Sequence, residues 1–168
     1  KPAIYPLDLK GAGIDDYADL VAAIESNFGH LDALTHCAAS LGQLAPIEHQ
    51  VAFTWAETLH INLTAPFLLT QACLPLMKKQ DKATIIFTTD QHKDNAYWAG
   101  YGISKAGIET LAKQLQDELE AAGRIQVHCI EPGQFQSPLL SQAYPALNPN
   151  DFPLPDKVTT PYLTVLKH

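Results

Sequence analysis

Tyr101 and Lys105 stand four residues apart in the stretch Tyr101-Gly102-Ile103-Ser104-Lys105. On a helix that spacing puts both side chains on one face, about one turn apart. An ammonium held beside a phenol favours the phenolate and lowers the tyrosine pKa, which makes a proton donor and acceptor usable near neutral pH. The same spacing also occurs on solvated helix faces, where it does no chemistry. The surrounding stretches weigh in favour of chemistry. An apolar strand ending in Thr88-Thr89 lies just upstream, and a helix carrying Asn62 precedes that strand. An apolar strand closing in Pro132-Gly133 follows.

These side chains need a scaffold, and the apolar pattern supplies one. Thr84-Ile85-Ile86-Phe87 predicts a fully buried parallel strand over 83–88, and 125–130 predicts another. Residues 32–37 predict a third strand and 3–7 a fourth, an edge strand or one that ends at Pro6, because Pro6 cannot donate to a ladder. Helices are expected from Asp15 or Asp16 to Phe28, over 55–77 with a kink at Pro66, and over 97–122. The first carries Tyr17, Leu20, Val21, Ile24 and Phe28 on one stripe; the last carries Ile103, Ile108, Leu111, Leu115 and Leu119. Gly29 and Gly123 fit their C-terminal caps. Residues 134–155, rich in Pro, Asn and Leu, read as a mobile substrate loop, and 159–166 as the start of a further helix. Strands alternating with helices give an α/β domain.

In this order the features resemble the short-chain dehydrogenase/reductase family, and its bacterial oxidoreductase branch in particular. Leu31-Asp32-Ala33-Leu34-Thr35-His36-Cys37-Ala38-Ala39 stands where that branch has a Leu-Asp-Gly-Val-Leu-His-Asn-Ala-Gly type segment. The resemblance implies a Rossmann-like doubly wound parallel sheet with helices on both faces, incomplete at both ends, as one partial domain over 1–168. It also implies NAD(P)-dependent hydride transfer between a nicotinamide cofactor and an alcohol or carbonyl substrate. In that reading Tyr101 carries the proton, and Lys105 tunes it and binds the nicotinamide ribose. Asn62, in an Asn-Leu-Thr context, holds a relay water. Asp8 and Leu9 meet the adenine, although Asp8 also serves simply to start a loop. Cys37, Ala38 and Ala39 border the cofactor, with Cys37 in place of the family's Asn and Ala39 in place of its Gly. Pro132, Gly133, Phe135 and Ser137 surround the nicotinamide. The family's catalytic serine is missing. Matching from the strand puts Asp90 in its place, and counting back from Tyr101 puts Thr88 there. Thr88 keeps a hydroxyl donor, whereas an ionised Asp90 only accepts and repels a developing oxyanion. By strand alternation both share one face. The rival reading is a non-catalytic relative that acts as a subunit or binding module. In the family the two long helices pair with their copies, so a homodimer or homotetramer is expected.

The composition bounds the remaining possibilities. At 168 residues and 46% apolar content, one domain can bury a sizeable core. A net charge of −7 with 11 Lys plus Arg argues against nucleic-acid or anionic-membrane partners. Three widely spaced cysteines make no disulfide framework and fit a reducing cytoplasm. Metal binding at His36-Cys37 with His128-Cys129 is not expected, because adjacent strand residues point to opposite faces. The family's Gly-rich phosphate cradle is not found near Gly11 and Gly13, so about two βα units of ~30 residues each are expected ahead of the chain.

Overall fold

Three of the apolar runs pair in parallel. β1 (Ala33–His36), β2 (Ala83–Thr88) and β3 (Ile125–Ile130) form a sheet in the order β1-β2-β3. Ala33 lies opposite Thr84 and His36 opposite Phe87, and on the other side Ala83 lies opposite Ile125 and Thr88 opposite Ile130. The computed structural model describes residues 2–167, so both ends of the 1–168 reading lie outside the described residues. The central strand is buried on both faces: Ile85, Ile86 and Phe87 are each fully enclosed. This is the behaviour expected of a continuous apolar run in a parallel sheet.

The helices then cover the sheet. α1 spans Ile14–Phe28, α2 Ala52–Leu59, α3 Ala65–Met77 and α4 Ala99–Glu120. Cys73 and Met77 of α3 and Ile108, Ala112, Leu115 and Leu119 of α4 close over Ile85 and Phe87 as one core. α1 packs against α3 through Tyr17, which is 1% exposed. Its Gly29 cap has φ 76°, the left-handed conformation that glycine adopts at least cost. Among the described residues, no helix is long and apolar enough to cross a membrane.

Several expectations are corrected. Residues 3–7 form no strand, because Pro2 and Pro6 remove ladder donors and no described strand lies alongside them. β1 is shorter than 32–37. The helix expected over 55–77 begins three residues earlier and contains a π turn at His60–Thr64. Pro66 sits just after it in the first turn of α3. With no N–H to give the preceding turn, the proline favours this widened winding over a simple kink. α4 starts at Ala99, not 97, because Tyr97 adopts φ 73° and breaks the helical run before it. Ile103, placed on its buried stripe, is 46% exposed, and Phe28 of α1 is 56% exposed. Within 134–155 the chain forms α5 (Pro138–Ala143) and a short 3-10 turn at Pro149–Asp151. α6 occupies Thr160–Val165, where a helix start was expected.

Candidate active site

The three strands all end at one cavity. Cys37 and Ala39 follow β1, Thr88 and Asp90 end or follow β2, and Pro132 and Gly133 follow β3; all six line a cavity of about 300 Å³. In parallel α/β sheets the crevice beyond the carboxyl ends of the strands is where ligands bind. α4 brings Tyr101 and Lys105 to this cavity at 3% and 4% exposure. Phe135 and Ser137 also line it. The Ser137 oxygen caps α5 by accepting from the Leu140 N–H at 3.1 Å, which leaves its O–H proton free to donate.

Lys105 donates to the Thr88 carbonyl at 2.8 Å, and its Nζ lies 5.6 Å from the Tyr101 ring centroid. An ammonium has three N–H donors, so two remain at the cavity wall. Burial pushes its pKa down, opposed first by the charge of Asp90. The Tyr101 hydroxyl donates to Asp90 Oδ2 at 2.9 Å. Burial, then the charge of Asp90, then this hydrogen bond hold the phenol well above its ordinary value. The lowering of the phenol expected from Lys105 has no counterpart among these causes. The nearest ionised partner of Tyr101 is an anion.

The two candidates for the serine's place now separate. β2 ends at Thr88, so strand alternation does not carry on to Asp90. The Thr88 hydroxyl turns to the Tyr162 hydroxyl at 2.9 Å and to Cys37 Sγ at 3.6 Å. Asp90 alone of the two touches Tyr101. It starts the 3-10 turn Gln91–Asp94, accepting from the His92 N–H at 2.8 Å. That turn packs closely on α4. A Cβ at Gly102 would lie 2.9 Å from the Lys93 carbonyl oxygen and 3.1 Å from that of His92.

Asn62 lies behind the cavity at 3% exposure, within the π turn. Its amide donates to the Ser40 carbonyl at 2.8 Å and to Ser104 Oγ at 3.0 Å, and its oxygen accepts from the Ser40 N–H at 2.7 Å. Both amide protons are thus committed to clamping the loop after β1 onto α4. Oδ1 keeps one lone pair, so a water held by this side chain would donate to it. Asp8 is exposed, and its side chain accepts from the Lys10 N–H at 3.0 Å at the turn before α1; Leu9 packs toward Tyr17. Neither lines the cavity, and neither does Ala38.

Residue types and spacing gave no sign of three further side chains. His92 Nδ1 meets Asp90 Oδ1 at 2.5 Å, and its Nε2 meets the Tyr144 hydroxyl at 2.9 Å. Trp98 stacks on the His92 ring at 4.0 Å. Only the Asp90-x-His92 spacing is local enough to have suggested the first contact.

The cavity fits one end of a nicotinamide dinucleotide. A buried ammonium with two unassigned donors faces it, next to a phenol. Gly133, at φ 73°, turns the chain beside open space, with nothing within 4 Å of where its Cβ would be.

The family profile described as short chain dehydrogenase matches residues 3–148. The chain is 30% identical over 168 residues to the uncharacterized oxidoreductase YciK of Escherichia coli K12, covering 99% of this chain and 66% of that protein. It spans about half the length of other curated relatives, 45% and 46% in two cases. A candidate short chain dehydrogenase structure from Pseudomonas syringae superposes with a TM-score of 0.95 at 36% identity, over 99% of this chain and 68% of that one. Another from E. coli CFT073, solved in complex with NADPH, superposes with a TM-score of 0.92 at 31% identity, over 96% of this chain and 68% of that one.

Proposed function

Since this chain belongs to the short-chain dehydrogenase family, we propose that it is the catalytic part of an oxidoreductase that uses NAD or NADP to interconvert an alcohol and a carbonyl. One observation carries the reading: Tyr101 and the incompletely paired, buried Lys105 meet at the carboxyl ends of three parallel strands. When bound, the nicotinamide supplies or removes the hydride. Lys105 would hold the nicotinamide ribose through its two remaining N–H donors. Pro132, Gly133, Phe135 and Ser137 would enclose the ring, and Cys37 and Ala39 would border it. Tyr101 moves the proton at the substrate oxygen. The low exposure of Tyr101 and Lys105 keeps bulk water from that oxygen. A second copy of the chain is the partner proposed for the outer faces of α2, α3 and α4. The cytoplasm is the proposed location, supported by three unpaired cysteines, Cys37, Cys73 and Cys129.

The test uses the protein in its full natural reading frame. It should bind NADH or NADPH, seen as a change in nicotinamide fluorescence, and oxidise members of a panel of secondary alcohols. Tyr101→Phe should lower turnover by ~10²-fold or more, the scale of general acid–base catalysis. Dinucleotide binding should stay within about threefold, because only the proton-bearing oxygen is lost. Turnover surviving in Tyr101→Phe would overturn the assignment.

A further inference from the structure

Asp90 stands where a neutral hydroxyl donor would face a growing oxyanion, yet a carboxylate cannot donate there. Its contacts fit a different task. Oδ2 accepts the Tyr101 proton at 2.9 Å, and Oδ1 accepts from both the backbone N–H and Nδ1 of His92, at 2.8 and 2.5 Å. In the neutral tautomer that carries its proton on Nδ1, His92 donates to the carboxylate and Nε2 accepts from the Tyr144 hydroxyl at 2.9 Å. In that tautomer every proton in this line points toward Asp90. Trp98, stacked on the imidazole at 4.0 Å, fixes the ring's plane. The other charged groups around the line are Lys105 from α4, Glu131 from the turn after β3, and the mutually paired Lys93 and Glu109.

We infer that Asp90 is the proton acceptor of Tyr101, that His92 and Tyr144 are its positioning residues, and that the site therefore takes an alcohol as its ground-state ligand. The inference rests on the function proposed above. Tyr101 has one proton, and Asp90 holds it. Toward the cavity the phenol oxygen presents only lone pairs, so it accepts from a hydroxyl and offers nothing to a carbonyl. In oxidation the substrate O–H bond breaks and its proton goes to the Tyr101 oxygen. At the same time the Tyr101 O–H bond breaks and that proton goes to Asp90 Oδ2. The two electrons leave with the hydride, whose acceptor is the oxidised dinucleotide. The Asp90 side chain is 25% exposed, which lets it pass the proton on to water. Reduction retraces these steps from protonated Asp90. The arrangement resembles a nucleophile–base–orienter triad in its division of roles, with the phenol as the group that meets substrate.

Two variants of the full-length protein test this, Asp90→Asn and Asp90→Ser, with thermal melts and dinucleotide binding as checks on folding. The first readout needs no cofactor: tyrosinate absorbance against pH, taken as a difference from Tyr101→Phe in each background. Removing the carboxylate takes away two of the three causes that hold the phenol up, so Tyr101 should ionise at lower pH than in the wild type. An unshifted titration would overturn the contact. The second readout is oxidation of the best alcohol from the panel. Both variants should lose ~10²-fold in kcat with the dinucleotide KM nearly unchanged. An Asp90→Ser variant as fast as the wild type, or faster, would overturn the relay and make Asp90 a poor substitute for a serine. Should the wild type turn over no alcohol, the proposed function falls and the relay with it, while the titration still reports whether Asp90 holds Tyr101.

Discussion

His36 is held as a neutral imidazole. Its Nε2 lies 2.9 Å from Thr70 Oγ1, and its ring stacks on Phe87 with centroids 4.8 Å apart. Burial pushes its pKa down to about 4, from an ordinary 6.5. At pH 7 the ring is neutral in the folded chain and mostly neutral in the unfolded one, so it contributes little to pH dependence there. As pH falls through 6.5 the unfolded chain binds a proton that the folded chain refuses until about pH 4. Stability therefore drops across that window, by at most about 3 kcal/mol for a shift of this size. His36→Gln keeps a partner for Thr70 and cannot titrate. Urea midpoints at pH 7 and pH 4.5 should show the wild type losing about 2–3 kcal/mol more than the variant. Equal losses would show that the ring is solvated in the folded state. Asn62 teaches a related point about single residues. Its type and its Asn-Leu-Thr setting mark it out in the sequence, but the three hydrogen bonds that occupy it come from Ser40 and Ser104, distant in the chain.

Among the elements, the short turn Gln91–Asp94 and the start of α4 set the geometry of the cavity. Gly102 lets them meet, since a Cβ there would stand 2.9 and 3.1 Å from two backbone carbonyl oxygens, which have no side-chain freedom with which to yield. Gly102→Ala should push the turn outward and stretch the Asp90–Tyr101 contact. A stability loss of about 1–3 kcal/mol is expected, the range for overpacking, together with a fall in turnover larger than in a surface glycine variant such as Gly11→Ala. Wild-type stability and turnover in Gly102→Ala would mean that the turn moves freely. This junction explains what the sequence could and could not reveal. The runs 83–88 and 125–130 are legible because a buried strand is a local apolar pattern bounded by turn residues, and both form at the expected bounds. The choice between Thr88 and Asp90 was not legible, because it depends on where β2 stops and how a 3-10 turn redirects the chain. The line from Tyr101 to Tyr144 was less legible still. It joins residues far apart in sequence, and no periodicity registers such a contact. Residues 3–7 misled for the opposite reason: their apolar content is that of a strand, but a strand exists only when a neighbour pairs with it.

At the scale of the whole molecule, the outer faces of the helices carry apolar side chains that the core does not use. Phe53 of α2 is 70% exposed, Phe67 of α3 44% and Ile103 of α4 46%. α4 lies close to the π turn, where a Cβ at Gly107 would come within 2.9 Å of Leu63 Cδ2. A surface bearing exposed aromatic and branched side chains is suited to pairing with a copy of itself about a twofold axis, where each such residue is buried twice. Light scattering of the full-length protein should then report a dimer or tetramer at tens of micromolar, a range in which interfaces of ordinary strength are occupied. Phe53→Glu combined with Ile103→Glu should shift the protein toward monomer. Exposed positions outside special features change folding stability by only about ±0.5 kcal/mol, so the urea midpoint should hardly move while the mass falls. That separation distinguishes a broken interface from a damaged fold. A wild-type protein that stays monomeric throughout this range would exclude helix-face pairing, and the exposed apolar residues would then be ordinary surface.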